Sequence, residues 1–66
     1  MPLIHVNMIE GRPDEKKEEL IQELTKTASD VLNAPINSVR VLITELPATH
    51  WGVAGQSMAE IRKSKK

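Results

Sequence analysis

The sequence predicts an α/β fold: a βαβ unit of two parallel strands crossed by one long helix, with a short C-terminal hairpin, pairing with other chains into four-stranded sheets. Three observations predict it. Two apolar runs, residues 3–9 and 39–45, have strand character and are separated by roughly thirty residues, the length of a crossover connection. The interval between them carries an apolar stripe at helical spacing. The chain has 66 residues and no cysteine, so it lacks the disulfides that staple many domains this short, and partner subunits are the remaining device.

In the first strand, Ile4, Val6 and Met8 fall on one face and Leu3, His5, Asn7 and Ile9 on the other. Apolar residues on both faces suit a strand covered on both sides. Gly11 ends the run. Pro13 is expected at the first helical position, where its missing N–H is not needed. Asp14 and Glu15 suit the positive end of the helix dipole. The proline keeps Arg12 extended, so Arg12 is expected at a strand-to-helix corner.

The helix is expected over 14–32, with Leu20, Ile21, Leu24, Ala28, Val31 and Leu32 on its apolar stripe. Asp14/Lys17 and Glu23/Lys26 are spaced to pair on its surface. Asn33 tolerates a left-handed cap and Pro35 forbids continuation. In the second strand, Val39, Val41 and Ile43 share one face and Arg40, Leu42 and Thr44 the other. Residues 51–55 read as a small hairpin, while Met58, Ala59 and Ile61 are too few to predict a helix. A two-stranded parallel sheet cannot stand alone, so two chains are expected to pair, with the C-terminal segment wrapping a neighbour.

Charge narrows the function classes. Nine cations balance nine anions, but Arg62, Lys63, Lys65 and Lys66 crowd the end and leave residues 1–61 at −4. An acidic body argues against nucleic-acid binding, and residues 62–66 read as a solvated basic tail. No apolar run reaches membrane-spanning length and no signal peptide is evident, so a single cytoplasmic domain over 1–66, with no membrane partner, is expected.

The usual catalytic motifs are missing. The glycines fit no phosphate loop, there is no cysteine nucleophile and no G-x-S-x-G elbow, and His5 and His50 lack metal-ligand spacing. Two features stand out instead. Pro2 follows Met1, and removal of Met1 would leave a secondary amine, a base near neutral pH if cations or an apolar wall lower its pKa. Arg40 lies between Val39 and Val41 and needs a partner, either a carboxylate such as Glu10 or Glu45 or the carboxylate of a ligand.

The order and spacing of several motifs resembles the 4-oxalocrotonate tautomerases of the tautomerase superfamily, from Pro2 to about Arg62. The carriers are Pro2 after Met1, Ile9-Glu10-Gly11-Arg12, Asp14-Glu15, Ala34-Pro35, Ser38-Val39-Arg40-Val41, Ile43-Thr44-Glu45, and His50-Trp51-Gly52 with Gly55. The resemblance implies cofactor-free, metal-free keto–enol chemistry on unsaturated dicarboxylates from aromatic-compound degradation, typically 2-hydroxymuconate. It implies a homohexamer built as a trimer of dimers, with a hetero-hexamer as the alternative.

Carried over by the resemblance, Pro2 is the base that moves a proton between the 2-hydroxyl oxygen and carbon 5. Arg12 holds the distal carboxylate, and Arg40, from an adjacent subunit, holds the 1-carboxylate and the 2-oxygen. Trp51, where the best-known members have phenylalanine, forms an apolar wall with Ile9, and Ser38 contacts substrate or water. Two other readings are a hydratase-like dehalogenase of 3-haloacrylates and a non-catalytic subunit of a hetero-oligomer. The first needs a water-activating carboxylate near the proline, and residues 47–59 contain no Asp or Glu.

Overall fold

In the computed structural model, which describes residues 2–64, strands β1 (Leu3–Ile9) and β2 (Arg40–Leu46) run parallel, with Leu3 beside Arg40 at one end and Ile9 beside Leu46 at the other. Met1, whose removal the sequence leads one to expect, and Lys65 and Lys66 of the basic tail lie outside the described residues. Helix α1 (Asp14–Leu32) joins the two strands within the predicted bounds. Its C-cap, Asn33, is left-handed at φ 55° and donates its N–H to the Ser29 carbonyl. The Ser29 hydroxyl in turn donates to the Ala34 carbonyl at 2.7 Å, closing the helix end.

Its start differs from expectation. Pro13 is the N-cap, extended at ψ 156°, not the first helical residue. Its carbonyl accepts the N–H groups of Lys16 and Lys17, so the first turn opens on Pro13 and the helical dihedrals begin at Asp14. Strand β2 begins one residue later than the sequence pattern suggests, because Val39 caps a 3₁₀ turn over Ile36–Ser38 and donates its N–H to the Ile36 carbonyl. A second 3₁₀ turn, Ala48–His50, follows Pro47. The predicted hairpin forms as β3 (Gly52–Val53) and β4 (Gln56–Ser57), and it runs directly into a second helix, α2 (Met58–Ser64), which the apolar pattern did not foretell.

Only one side of the sheet is covered. Ile4, Val6 and Met8 of β1 and Val41 and Ile43 of β2 are half-buried, as are Lys17, Leu20, Leu24 and Ala28 of α1. Val39, 7% exposed, is the one buried apolar residue among those described. On the opposite face Leu3 is 63% and Leu42 54% exposed, and His5 Nε2 lies 2.7 Å from the Thr44 hydroxyl. The apolar stripe of α1 also overshoots its cover: Ile21, Val31 and Leu32 are exposed, Val31 at 76%. They flank or run past the part of the helix that the short strands can reach.

The surface is large for a single folded chain. It exposes 5174 Å², whereas a folded monomer of this mass exposes about 4200 Å². Its radius of gyration is 15.3 Å, against about 11 Å for a compact domain of the same length.

Candidate active site

The chemistry-bearing residues gather at the two ends of the sheet. At one end, β1 delivers Ile9, and the chain turns through Glu10, Gly11, Arg12 and Pro13 into α1. Gly11 sits at φ 129°, a conformation that side chains rarely tolerate, which is why the corner needs glycine. The Glu10 N–H donates to the Leu46 carbonyl at 2.9 Å and extends the sheet by one bond. The Arg12 guanidinium makes one long contact, 3.5 Å to the Ile9 carbonyl, and no ion pair joins it to a carboxylate among the described residues.

Trp51 reaches the same end from the other half of the chain. Its N–H donates to the Ala48 carbonyl, and its own carbonyl accepts the Met58 N–H at 2.7 Å, closing the hairpin behind it. The hairpin turn is Ala54-Gly55, with φ of 54° and 87°. Positive φ at both central residues is the signature of the tight turn whose twist matches paired strands. Ile9, Arg12 and Trp51 then line one open groove of about 330 Å³ with Asn7, Met8, Met58 and Arg62.

The last four were not among the sequence candidates. Met58 and Arg62 lie four residues apart on α2 and share a face. A signal for that helix was present: Ser57-Met58-Ala59-Glu60 has capping-box spacing, and the Ser57 hydroxyl accepts the Glu60 N–H at 3.2 Å. Arg62 and Lys63 therefore stand in a helix and not in a frayed tail.

At the other end, Pro2 is half-buried and its carbonyl accepts the Arg40 N–H at 3.0 Å. The Arg40 guanidinium bends back onto its own loop, donating from Nη1 to the Asn37 carbonyl at 2.8 Å and to Val39 at 3.3 Å. Neither Glu10 nor Glu45 pairs with it; the Glu45 carboxylate is held by Lys17. These carbonyls engage Nη1 without neutralising the charge. The Ser38 hydroxyl donates to the Pro35 carbonyl at 2.7 Å, which leaves Ser38 acceptor lone pairs and no spare proton. Arg40 lies beside Leu3 on the open face, while strand alternation puts Pro2 with Ile4 on the helix side.

One chain does not bring the two groups together. Seven residues of β1 separate them, about 23 Å at strand rise. Pro2, Ser38 and Arg40 form one cluster, and Ile9, Arg12 and Trp51 form the other.

Lys17 is held off its ordinary value. Hydrogen bonds to Glu45 and then Asp14 raise it above 10.5. Of the two pairs expected on α1, Asp14/Lys17 forms at 3.1 Å, while Lys16/Glu19 forms at 3.6 Å in place of Glu23/Lys26. Among the described residues, no group of three or more metal-ligating side chains converges, and no helix is long and apolar enough to cross a membrane.

Comparison with known proteins bears on this geometry. The profile of the family described as Tautomerase enzyme matches residues 2–61. The 2-hydroxymuconate tautomerase of Stutzerimonas stutzeri is 48% identical over 61 residues, covering 92% of this chain and 97% of that protein. TomN, a 4-oxalocrotonate tautomerase homologue in the tomaymycin biosynthetic pathway, superposes with a TM-score of 0.96 at 40% identity, over 98% of this chain and 100% of its own. A heterohexamer 4-oxalocrotonate tautomerase from Chloroflexus aurantiacus J-10-fl gives a TM-score of 0.90 at 45% identity, over 94% and 100%.

Proposed function

The chain belongs to the tautomerase family and is an isomerase, and on that premise we propose that it interconverts 2-hydroxymuconate-type dienols and 2-oxo-3-hexenedioate-type enones with Pro2 as the base. The observation that carries the reading is the groove at the end of β1. A guanidinium without a carboxylate partner stands beside an apolar wall that includes Ile9, Trp51, Met8 and Met58. That pairing suits an unsaturated carbon chain ending in a carboxylate.

The roles then divide among the residues. The Pro2 nitrogen, freed by loss of Met1, takes the 2-hydroxyl proton and returns it to carbon 5. The net reaction is a proton shift, so atoms balance without a co-reactant. Arg12 anchors the distal carboxylate. Arg40 anchors the 1-carboxylate and stabilises negative charge that develops on the 2-oxygen. Both cations, with the Trp51 wall, disfavour the protonated amine and poise it near the working pH. Ser38, its proton engaged, serves as an acceptor and stiffens the loop that carries Arg40.

A base and a distal clamp at opposite ends of one strand cannot reach one small substrate. The site is therefore composite: the Pro2 end of one chain meets the Arg12 groove of another, and Arg40, on the sheet face opposite Pro2, comes from a neighbouring chain. The open sheet face and the excess exposed surface support assembly, and we place the chain in a homohexamer.

The test is ketonisation of 2-hydroxymuconate, followed by ultraviolet absorbance, for the wild-type chain and Pro2→Ala. Intact mass establishes that each begins at residue 2. Loss of activity by about 10²-fold or more in Pro2→Ala, with assembly kept, supports the reading. Equal activity in both removes Pro2 from the mechanism. Wild-type activity that appears only after a second, different chain is added replaces the homohexamer with a hetero-oligomer.

A further inference from the structure

Resting on the reading of Arg12 as the distal clamp, we propose that Lys17 is a positioning residue for Arg12, fastening the corner of residues 10–13 to the end of β2 through Glu45. The corner has little of its own to hold it. Gly11 at φ 129° is its freest residue, and the Arg12 side chain has one contact at 3.5 Å. Where the guanidinium points therefore depends on how the corner is tied at its two feet.

Both feet land on adjacent residues of one strand. On the strand side, the Glu10 N–H bonds to the Leu46 carbonyl at 2.9 Å. On the helix side, Lys17 Nζ donates to Glu45 Oε1 at 2.9 Å and to Asp14 Oδ1 at 3.1 Å. Glu45 and Leu46 thus close a ring around Gly11 and Arg12. The second tie is less exposed than the ion pair on the outer face of the helix. The Lys17 side chain is 19% exposed and that of Glu45 31%, whereas Lys16 and Glu19, on the outer face of the same helix, are 69% and 63% exposed at 3.6 Å. A shielded pair holds its geometry better and is screened less by salt.

A lysine on the sheet-facing side of α1 occupies a position where an apolar residue would fill the space equally well. Its charge has a use there if it fixes the distance between α1 and the end of β2. A clamp displaced by about 1 Å can cost up to 10²-fold in rate, so a loosened corner registers in how a distal carboxylate is bound.

The experiment compares Lys17→Met, Glu45→Gln, Lys17→Arg and Arg12→Ala on 2-hydroxymuconate and on a monocarboxylate dienol lacking the distal carboxylate, with sedimentation as the assembly check. Methionine keeps the apolar stem of Lys17 and removes the charge. Lys17→Met and Glu45→Gln should each raise KM for the dicarboxylate about tenfold while changing kcat/KM for the monocarboxylate less than about twofold. Lys17→Arg, which keeps a donor for both carboxylates, should retain the wild-type preference.

Equal losses on both substrates would make Lys17 merely structural and overturn the proposal, as would unchanged kinetics. If one variant fails to assemble, the other decides; if both fail, the bridge serves folding and the proposal falls. Arg12→Ala separates the two levels. If it loses the dicarboxylate preference and the bridge variants keep theirs, positioning by Lys17 alone is wrong. If Arg12→Ala itself shows no such preference, the distal-clamp reading has failed.

Discussion

The two ends of the β1–β2 sheet are built in different ways. At the Pro2 end, hydrogen bonds from the backbone and from two side chains do the work: Arg40 N–H to Pro2, Ser38 to Pro35, Arg40 Nη1 to Asn37. At the Arg12 end, positions are set by segments far apart in sequence, since a corner, a hairpin and α2 converge on one groove. The first end joins two segments through the strand pairing, and the second brings together more. On the proposed reading each holds only part of the chemistry, a base with one cation or a clamp with a wall, and activity then depends on how ends of different chains meet.

The largest effect should come from Leu42→Asp. Leu42 is 54% exposed on the open sheet face, two residues along β2 from Arg40. If partners cover that face, each subunit must take a new carboxylate out of water, a cost of several kcal/mol. Sedimentation should show small species, and dienol ketonisation should fall to background although Pro2 and Arg12 of each chain are untouched. A fully active Leu42→Asp monomer would mean that one chain suffices.

The next effect sharpens the same comparison without breaking the particle. Pro2→Ala and Arg12→Ala chains, each nearly inactive alone, should regain activity when unfolded together and refolded as a mixture. If base and clamp come from different chains of a symmetric assembly, about a quarter of the sites in a random equal mixture hold both wild-type groups. If they come from the same chain, mixing restores nothing.

Much smaller is the pH response of the Lys17 bridge. Its pKa is raised on folding, so its contribution is fully present below the ordinary value of 10.5 and fades as pH rises through the folded-state value. The stability difference between wild type and Lys17→Met, measured by urea denaturation at one protein concentration, should hold from pH 7 to about 10 and shrink above that. A difference that grows with pH would contradict the assignment.

The contrast between the ends also explains what could be read from the sequence. The Pro2–Arg40 neighbourhood follows from local rules: alternation gave both strands, Asn33-Ala34-Pro35 gave the helix stop, and Arg40 stood out as a cation in an apolar run. The groove was only half legible. Ile9, Arg12 and Trp51 were identified, but Met58 and Arg62 were not, because α2 is too short for apolar periodicity to reveal it and its capping box was the only local mark. The apolar stripe on α1 overran its cover at Val31 and Leu32, because periodicity reports which residues prefer burial and not what is present to bury them. The ion pair between Lys17 and Glu45 spans 28 residues and leaves no local signature at all.

The hairpin turn offers the finest test of the difference, since only the groove end leans on it. Ala54 is left-handed at φ 54°, a conformation that costs an L-residue about 1 kcal/mol or more. Glycine takes the same conformation freely but makes the unfolded chain more flexible, so Ala54→Gly should stabilise by a net of roughly 0.5 kcal/mol. Gly55, at φ 87°, has no atom within 4 Å of where a Cβ would stand, so Gly55→Ala adds no clash and pays only the conformational cost. It should destabilise by about 1 kcal/mol. Opposite shifts in thermal midpoint at one protein concentration would show that the turn, through the Met58-to-Trp51 bond it closes, supports the wall of the groove. Because Trp51 is the only aromatic residue, its fluorescence reports that wall directly. Gly55→Ala should loosen the Trp51 signal before the particle unfolds, whereas the same loss of stability introduced at the Pro2 end, by Ser38→Ala, should leave that signal unchanged until global melting.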